Sequence, residues 1–165
     1  MPTHGRIGNH AGRTLDAIHA DLADTIDQRT IGQEDCATAV ANLAFFRREA
    51  LTEPCACLLE PSIVIVVQGA KQMLIGDAAY AYDTERFLLN SLDLPARSQV
   101  LDASANKPCL GLVFKLDLSV MAELISQTRR APPRDRAAEA SAALGTMTPA
   151  LLEPFSRLLD LLDEP

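Results

Sequence analysis

The sequence predicts a mainly β domain with flanking helices, its strands forming an antiparallel barrel or double-sheet jelly roll. Two observations carry this. Residues 40–117 hold six or seven short apolar or β-branched runs, at intervals of roughly 8–15 residues, with turn residues between them. On both sides of that region the apolar spacing changes to steps of three and four, the period of a helix packed on one face.

In chain order, residues 1–12 hold three glycines and a proline and read as a disordered tail. Residues 13–39 form a helical arm: Leu15, Ile18, Leu22 and Ile26 share a face over about residues 14–29, and Thr14 is a plausible N-cap. The barrel is expected over residues 40–118. Its runs are VANLAFFRRE, SIVIVVQG, KQMLIGD, AAYAYDTERFLLNS, ARSQVLDAS and KPCLGLVFKLD. Gly76-Asp77 marks a hairpin turn, and Pro95 and Pro108 sit where a missing N–H does least harm. From residue 119 to 165 a helical region follows. DLSVMAELISQT has Asp117 or Ser119 as a cap. RRAPPRDRAAEASAALG reads as a solvated connector, its Arg129, Arg130, Arg134 and Arg136 facing water. The last helix has Thr148 as N-cap and Pro149 at its first position.

Composition narrows the function. The 165 residues are 48% apolar and 22% charged, ordinary for a folded domain. The longest clean apolar run, Ile63 to Val67, is far short of the ~20 residues that span a bilayer, so no membrane partner is expected. Fifteen basic residues against 22 acidic ones give a net charge of −7. Residues 1–53, 54–118 and 119–165 carry five basic residues each against eight, seven and seven acidic ones, so no segment is a basic nucleic-acid-binding module. With no signal peptide evident, Cys36, Cys55, Cys57 and Cys109 are expected as free thiols in a reducing cytoplasm.

The stretch from Glu60 to Pro108 carries a joint motif. It runs Glu60-Pro61-Ser62, Gln68-Gly69 with Lys71, Gly76-Asp77 with Tyr80, Tyr82 and Asp83, Phe87-Leu88, Ser91 with Asp93 and Pro95, then Ala103-Ser104 with Pro108. This closely resembles the N-terminal effector domain of AraC-type transcriptional regulators, over about residues 43–165. The resemblance implies a cupin-like barrel, a small-molecule effector and a homodimer. It implies contact with DNA only through a helix-turn-helix domain that is absent from this chain. Within the motif, Glu60, Pro61, Gly69, Gly76, Asp77, Tyr82, Asp83 and Pro95 read mostly as turn and strand-end residues. Gly69 and Gly76 would supply positive φ, Asp77 would bind turn amides, and Asp83-Thr84 would form an Asx-turn.

No catalytic or cofactor site is expected. Many cupins hold a metal through histidines inside the barrel, at about 2 Å. Here His4, His10 and His19 all precede the barrel. Cys55-Ala56-Cys57 places two thiols on one face of an extended segment, which suits a metal or redox sensor only with further ligands or a depressed thiol pKa. A metal-free isomerase or epimerase is the enzymatic alternative, with Tyr80, Tyr82 and Asp93 as inward-capable groups. A dimerisation module without a ligand is the other.

Alternation suggests where an effector would sit. In KPCLGLVFKLD, Leu110, Leu112, Phe114 and Leu116 share a parity opposite to Lys115, so they are expected to face the barrel interior if Lys115 faces water. The expected lining is Phe45, Ile65, Val67, Leu88, Asn90, Leu112 and Phe114, with a filled core as the alternative. Leu151, Phe155, Leu158 and Leu162 of the last helix would seal the domain or meet a second subunit, and the resemblance favours the second use.

Overall fold

A computed structural model of the chain describes residues 12–128 and 141–164. The expected tail, His4, His10 and the four connector arginines lie outside the described residues.

Among the described residues, ten strands and three helices follow in the order α1 (Leu15–Arg29), β1 (Asp35–Ala37), β2 (Leu43–Arg48), β3 (Cys55–Leu59), β4 (Ser62–Gln68), β5 (Ala70–Ile75), β6 (Ala78–Asp83), β7 (Arg86–Asn90), β8 (Leu94–Asp102), β9 (Cys109–Lys115), α2 (Leu118–Gln127), β10 (Ala142–Thr146) and α3 (Pro149–Leu161). The strands make two antiparallel sheets. One has six strands in the order β1-β2-β9-β4-β7-β10, and the other has four in the order β3-β8-β5-β6. No ladder joins the two sheets among the described residues, so of the expected barrel or double-sheet arrangement the structure shows two antiparallel sheets and no closed barrel.

The turns follow local chemistry. Gly76 has φ +56° and opens the two-residue link between β5 and β6. Gly69 has φ +88°, and a Cβ there would lie 2.6 Å from the Asp102 carbonyl oxygen, so both conformation and close approach demand glycine. One Asp83 carboxylate oxygen accepts from the Glu85 and Arg86 amides at 2.8 and 3.3 Å, the Asx-turn that starts β7. Asp77 stands in its turn, but no side-chain hydrogen bond among the described residues uses its carboxylate.

The six-stranded sheet is buried on both faces at its centre, where Ile63 to Val67 of β4 are all buried in succession. Ile63, Ile65 and Val67 point to one side, where α1 and α3 lie across the sheet. Ile18, Leu22, Ile26, Leu152, Phe155 and Leu159 meet Phe45, Leu110 and Leu112 there. Val64 and Val66 point the other way, towards Met73, Tyr82, Ala96 and Val100 of the four-stranded sheet. Thr14 caps α1 and Thr148 caps α3, each accepting a backbone amide. Arg29 ties the ends of these two helices, donating to the Leu162 carbonyl and pairing with Asp163 at 2.5 Å.

Helix α2 is different. Asp117 caps it, yet none of its residues is buried. Leu118, Val120, Met121, Leu124 and Ile125 are all exposed.

Candidate functional site

Between the two sheets lies a cavity of about 340 Å³. The six-stranded sheet contributes Asp35, Ala44, Phe46, Arg48, Ser62, Val64, Val113 and Lys115. The four-stranded sheet contributes Cys57, Leu59, Lys71, Met73, Tyr82 and Ser98. The pleat explains the choice: these residues alternate with those facing the helices or the outer surface.

Lys71 is the exceptional residue. It stands in β5 in step with Met73 and is only 8% exposed. Its Nζ lies 4.4 Å from the centroid of the Phe46 ring. Among the described residues it forms no hydrogen bond or ion pair. Burial pushes its pKa below the usual lysine range, and the nearby Arg48 charge pushes the same way. Tyr82 is its direct partner across the β5–β6 ladder. Tyr82 is 1% exposed, and its hydroxyl has no partner among the described residues. Burial pushes the phenol pKa well above its ordinary value, so Tyr82 stays protonated.

The Phe46 ring is held by its neighbour in the ladder. Gly111 pairs with Phe46, and a Cβ at 111 would come within 2.4 Å of the ring. The absent side chain lets the ring lie against the sheet below Lys71.

The other charges around the cavity are paired. Arg48 reaches Asp35 at 3.0 Å, and Lys115 reaches Glu60 at 2.7 Å. Cys57 also lines the cavity, and Cys109 is fully buried beside it. Burial raises both thiol pKa values, that of Cys109 to about 11, so neither is poised as a thiolate. No group of three or more His, Cys, Asp or Glu among the described residues could hold a metal ion.

The structure redistributes the expected lining. Ile65, Val67, Leu112 and Phe114 pack with the helices, Phe114 edge-to-face on Phe155 at 6.0 Å. Phe45 belongs to that cluster too, though it also borders the cavity. The inward parity of β9 is therefore the opposite one, carrying Cys109, Gly111, Val113 and Lys115. Lys115 still meets water, because it lies at the strand's open end. Leu88 does face the space between the sheets. Asn90 is fully buried but spends its Nδ2 on the Leu59, Glu60 and Leu92 carbonyls, at 3.3, 3.0 and 2.5 Å, pinning the β3–β4 turn. Pro61 and Pro95 stand at strand ends, and Glu60 pairs with Lys115.

Leu151, Phe155, Leu158 and Leu162 pack against the chain's own core beneath α3. Tyr80, Tyr82 and Asp93 are not brought together as an acid–base set. Asp93 borders a separate polar depression with Asn42, Glu60 and Asp117. The expected lining omits Lys71, although a lysine in step with Met73 on a strand is a visible signal. No described helix is long and apolar enough to cross a membrane.

Residues 39–165 match the family model described as AraC-type transcriptional regulator N-terminus. The chain belongs to that family. Among solved structures, this AraC-type domain is similar to an apo variant of ToxT from Vibrio cholerae, with a TM-score of 0.51 at 8% identity, covering 78% of this chain and 51% of that one. A second ToxT structure from Vibrio cholerae gives a TM-score of 0.43 at 8% identity, covering 71% and 46%. The AraC-type chain thus spans about half the length of the structures it matches, and at this identity the first likeness concerns the fold. No curated protein matches the sequence.

Proposed function

We propose that this AraC-type domain is the effector-binding and dimerisation part of a transcriptional regulator, and not an enzyme. Its two sheets act as an open, cupin-like vessel. The cavity between them receives a small molecule, and DNA is reached through a domain outside this chain. The single observation that carries this reading is the cavity itself: a half-open space of about 340 Å³ between the sheets, mostly apolar, with a few polar groups, inside a family of regulator domains. Among the described residues around it, Tyr82 is held protonated and the Cys57 and Cys109 thiols are held neutral, so none of these three is set as a base or nucleophile.

The mechanism is a population shift. A ligand that prefers one arrangement of sheets and helices stabilises it, by the difference between its affinities for the two states. Moving a regulator from almost wholly one state to almost wholly the other takes about 5.5 kcal/mol of such difference.

A thermal-shift screen of this chain against sugars, aromatic acids, fatty acids and aldehydes tests the reading. A class that raises the melting temperature without being turned over, and that no longer does so in Val113→Trp, supports it. Val113 faces the cavity, so the indole would fill it. Turnover would support an enzyme. No shift, with dimers seen in sedimentation, would support a module that works without a ligand.

A further inference from the structure

The charges around the cavity do not balance. Lys71, Arg48 and Lys115 face Asp35 and Glu60. The two carboxylates are already engaged by Arg48 and Lys115, so Lys71 is the surplus positive charge. It is also the most buried of the three lysine and arginine side chains, in a chain whose net charge is −7. A buried ammonium with only an aromatic face for company is costly, and an anion supplied from outside offsets that cost. Tyr82, opposite it in the ladder, adds a hydroxyl that has no partner among the described residues.

We propose that the cavity takes a small monocarboxylate with an apolar body, its head on Lys71 Nζ beside Tyr82 and its body among Phe46, Val64, Met73 and Val113. This rests on the effector-cavity reading and names the ligand's chemistry. A single surplus charge matches a monoanion. A phosphate ester would bring more charge and more acceptors than these two groups can satisfy. A sugar would leave its hydroxyls against apolar walls. Size follows from volume. At about 30 Å³ per water, roughly the room that a methylene takes, 340 Å³ accommodates a ligand of about ten non-hydrogen atoms.

The test is calorimetric titration of the 165-residue chain with phenylacetate and octanoate, each against the alcohol of the same shape, 2-phenylethanol and octanol. The carboxylates are expected to bind at least about tenfold more tightly than the alcohols, the worth of a charge-assisted contact. Lys71→Met should abolish that preference, and Tyr82→Phe should reduce it severalfold. Affinity should also fall in alkaline buffer, once Lys71 loses its proton. Lys71→Gln serves as a second variant if Lys71→Met does not melt cooperatively. Alcohols binding as tightly as carboxylates would overturn the anion inference and leave the effector cavity standing. A carboxylate preference that survives Lys71→Met would place the anion elsewhere and overturn it too. If no carboxylate binds, the inference fails, while the effector reading is judged separately by the broader screen and Val113→Trp.

Discussion

Lys71 and Phe46 come from opposite sheets and meet across the cavity, the ammonium 4.4 Å from the ring centroid. The contact returns part of what burying the charge costs, on the order of 1 kcal/mol for a cation over an aromatic face. It does not neutralise the charge, and the lysine pKa is held low. Lys71→Met keeps the apolar stem and removes the charge. In the absence of ligand we expect it to stabilise the domain by about 1 kcal/mol or more in urea unfolding, because a buried charge exchanged for a packed apolar group commonly gains stability. A loss of 1 kcal/mol or more would mean that the ammonium contributes to the fold itself.

The ring beneath that lysine depends on Gly111. A Cβ at this position would sit 2.4 Å from Phe46 Cζ and 2.2 Å from the Ile65 carbonyl oxygen. Gly111→Ala therefore displaces both an aromatic ring and a ladder strand, and is expected to cost about 1–3 kcal/mol or more in urea unfolding. Adding Phe46→Ala should not rescue it, since the backbone clash with Ile65 remains. Recovery in the double variant would show that the ring alone sets the constraint.

The same sheet explains what could be read from the sequence. The strands β2 and β4 to β9 announce themselves through β-branched and aromatic runs between turn residues, and Gly69, Gly76 and Asp83 mark turns by their own chemistry. The helix caps at Thr14, Asp117 and Thr148 are equally local. Three strands were not legible. β1 is three residues long. β3 is exposed along Cys55–Leu58. β10, Ala142–Thr146, is alanine-rich and becomes a strand by pairing with the edge at β7. The site was less legible than the fold. Ile63 to Val67 are buried on both sides, so alternation separates two sets of residues without saying which set meets helices and which meets the opposite sheet. Lys115 misleads for the same reason, because water at a strand end looks like water on a face.

The helices divide into one that holds the core and one that does not. Leu152 of α3 is fully buried against α1 and the sheet. Leu152→Ala should cost about 2–5 kcal/mol by leaving a cavity there. Leu124 of α2 is 51% exposed and belongs to neither core cluster. Leu124→Asp should change stability by less than about 0.5 kcal/mol. Chemical denaturation of both variants checks the pair. Equal losses would mean that α2 is packed against something that the single chain supplies.

Stability should also fall on mild acidification, and His19 gives the reason. It lies on the inner side of α1, 8% exposed, with Nε2 unpartnered among the described residues. Burial lowers its pKa, and the charge of Asp16, one turn earlier, opposes this without cancelling it. The sign follows from proton counting. Once the pH drops towards the ordinary histidine value of about 6.5, the unfolded chain takes up a proton that the folded chain resists. The unfolded state then binds more protons, so the folded state loses stability as the pH falls from 7 through the lowered pKa, and the loss levels off below it. His19→Gln cannot charge, so its urea midpoint between pH 7 and pH 5 should fall less steeply than that of the parent chain. Parallel slopes for the two proteins would show that His19 takes up its proton as readily folded as unfolded.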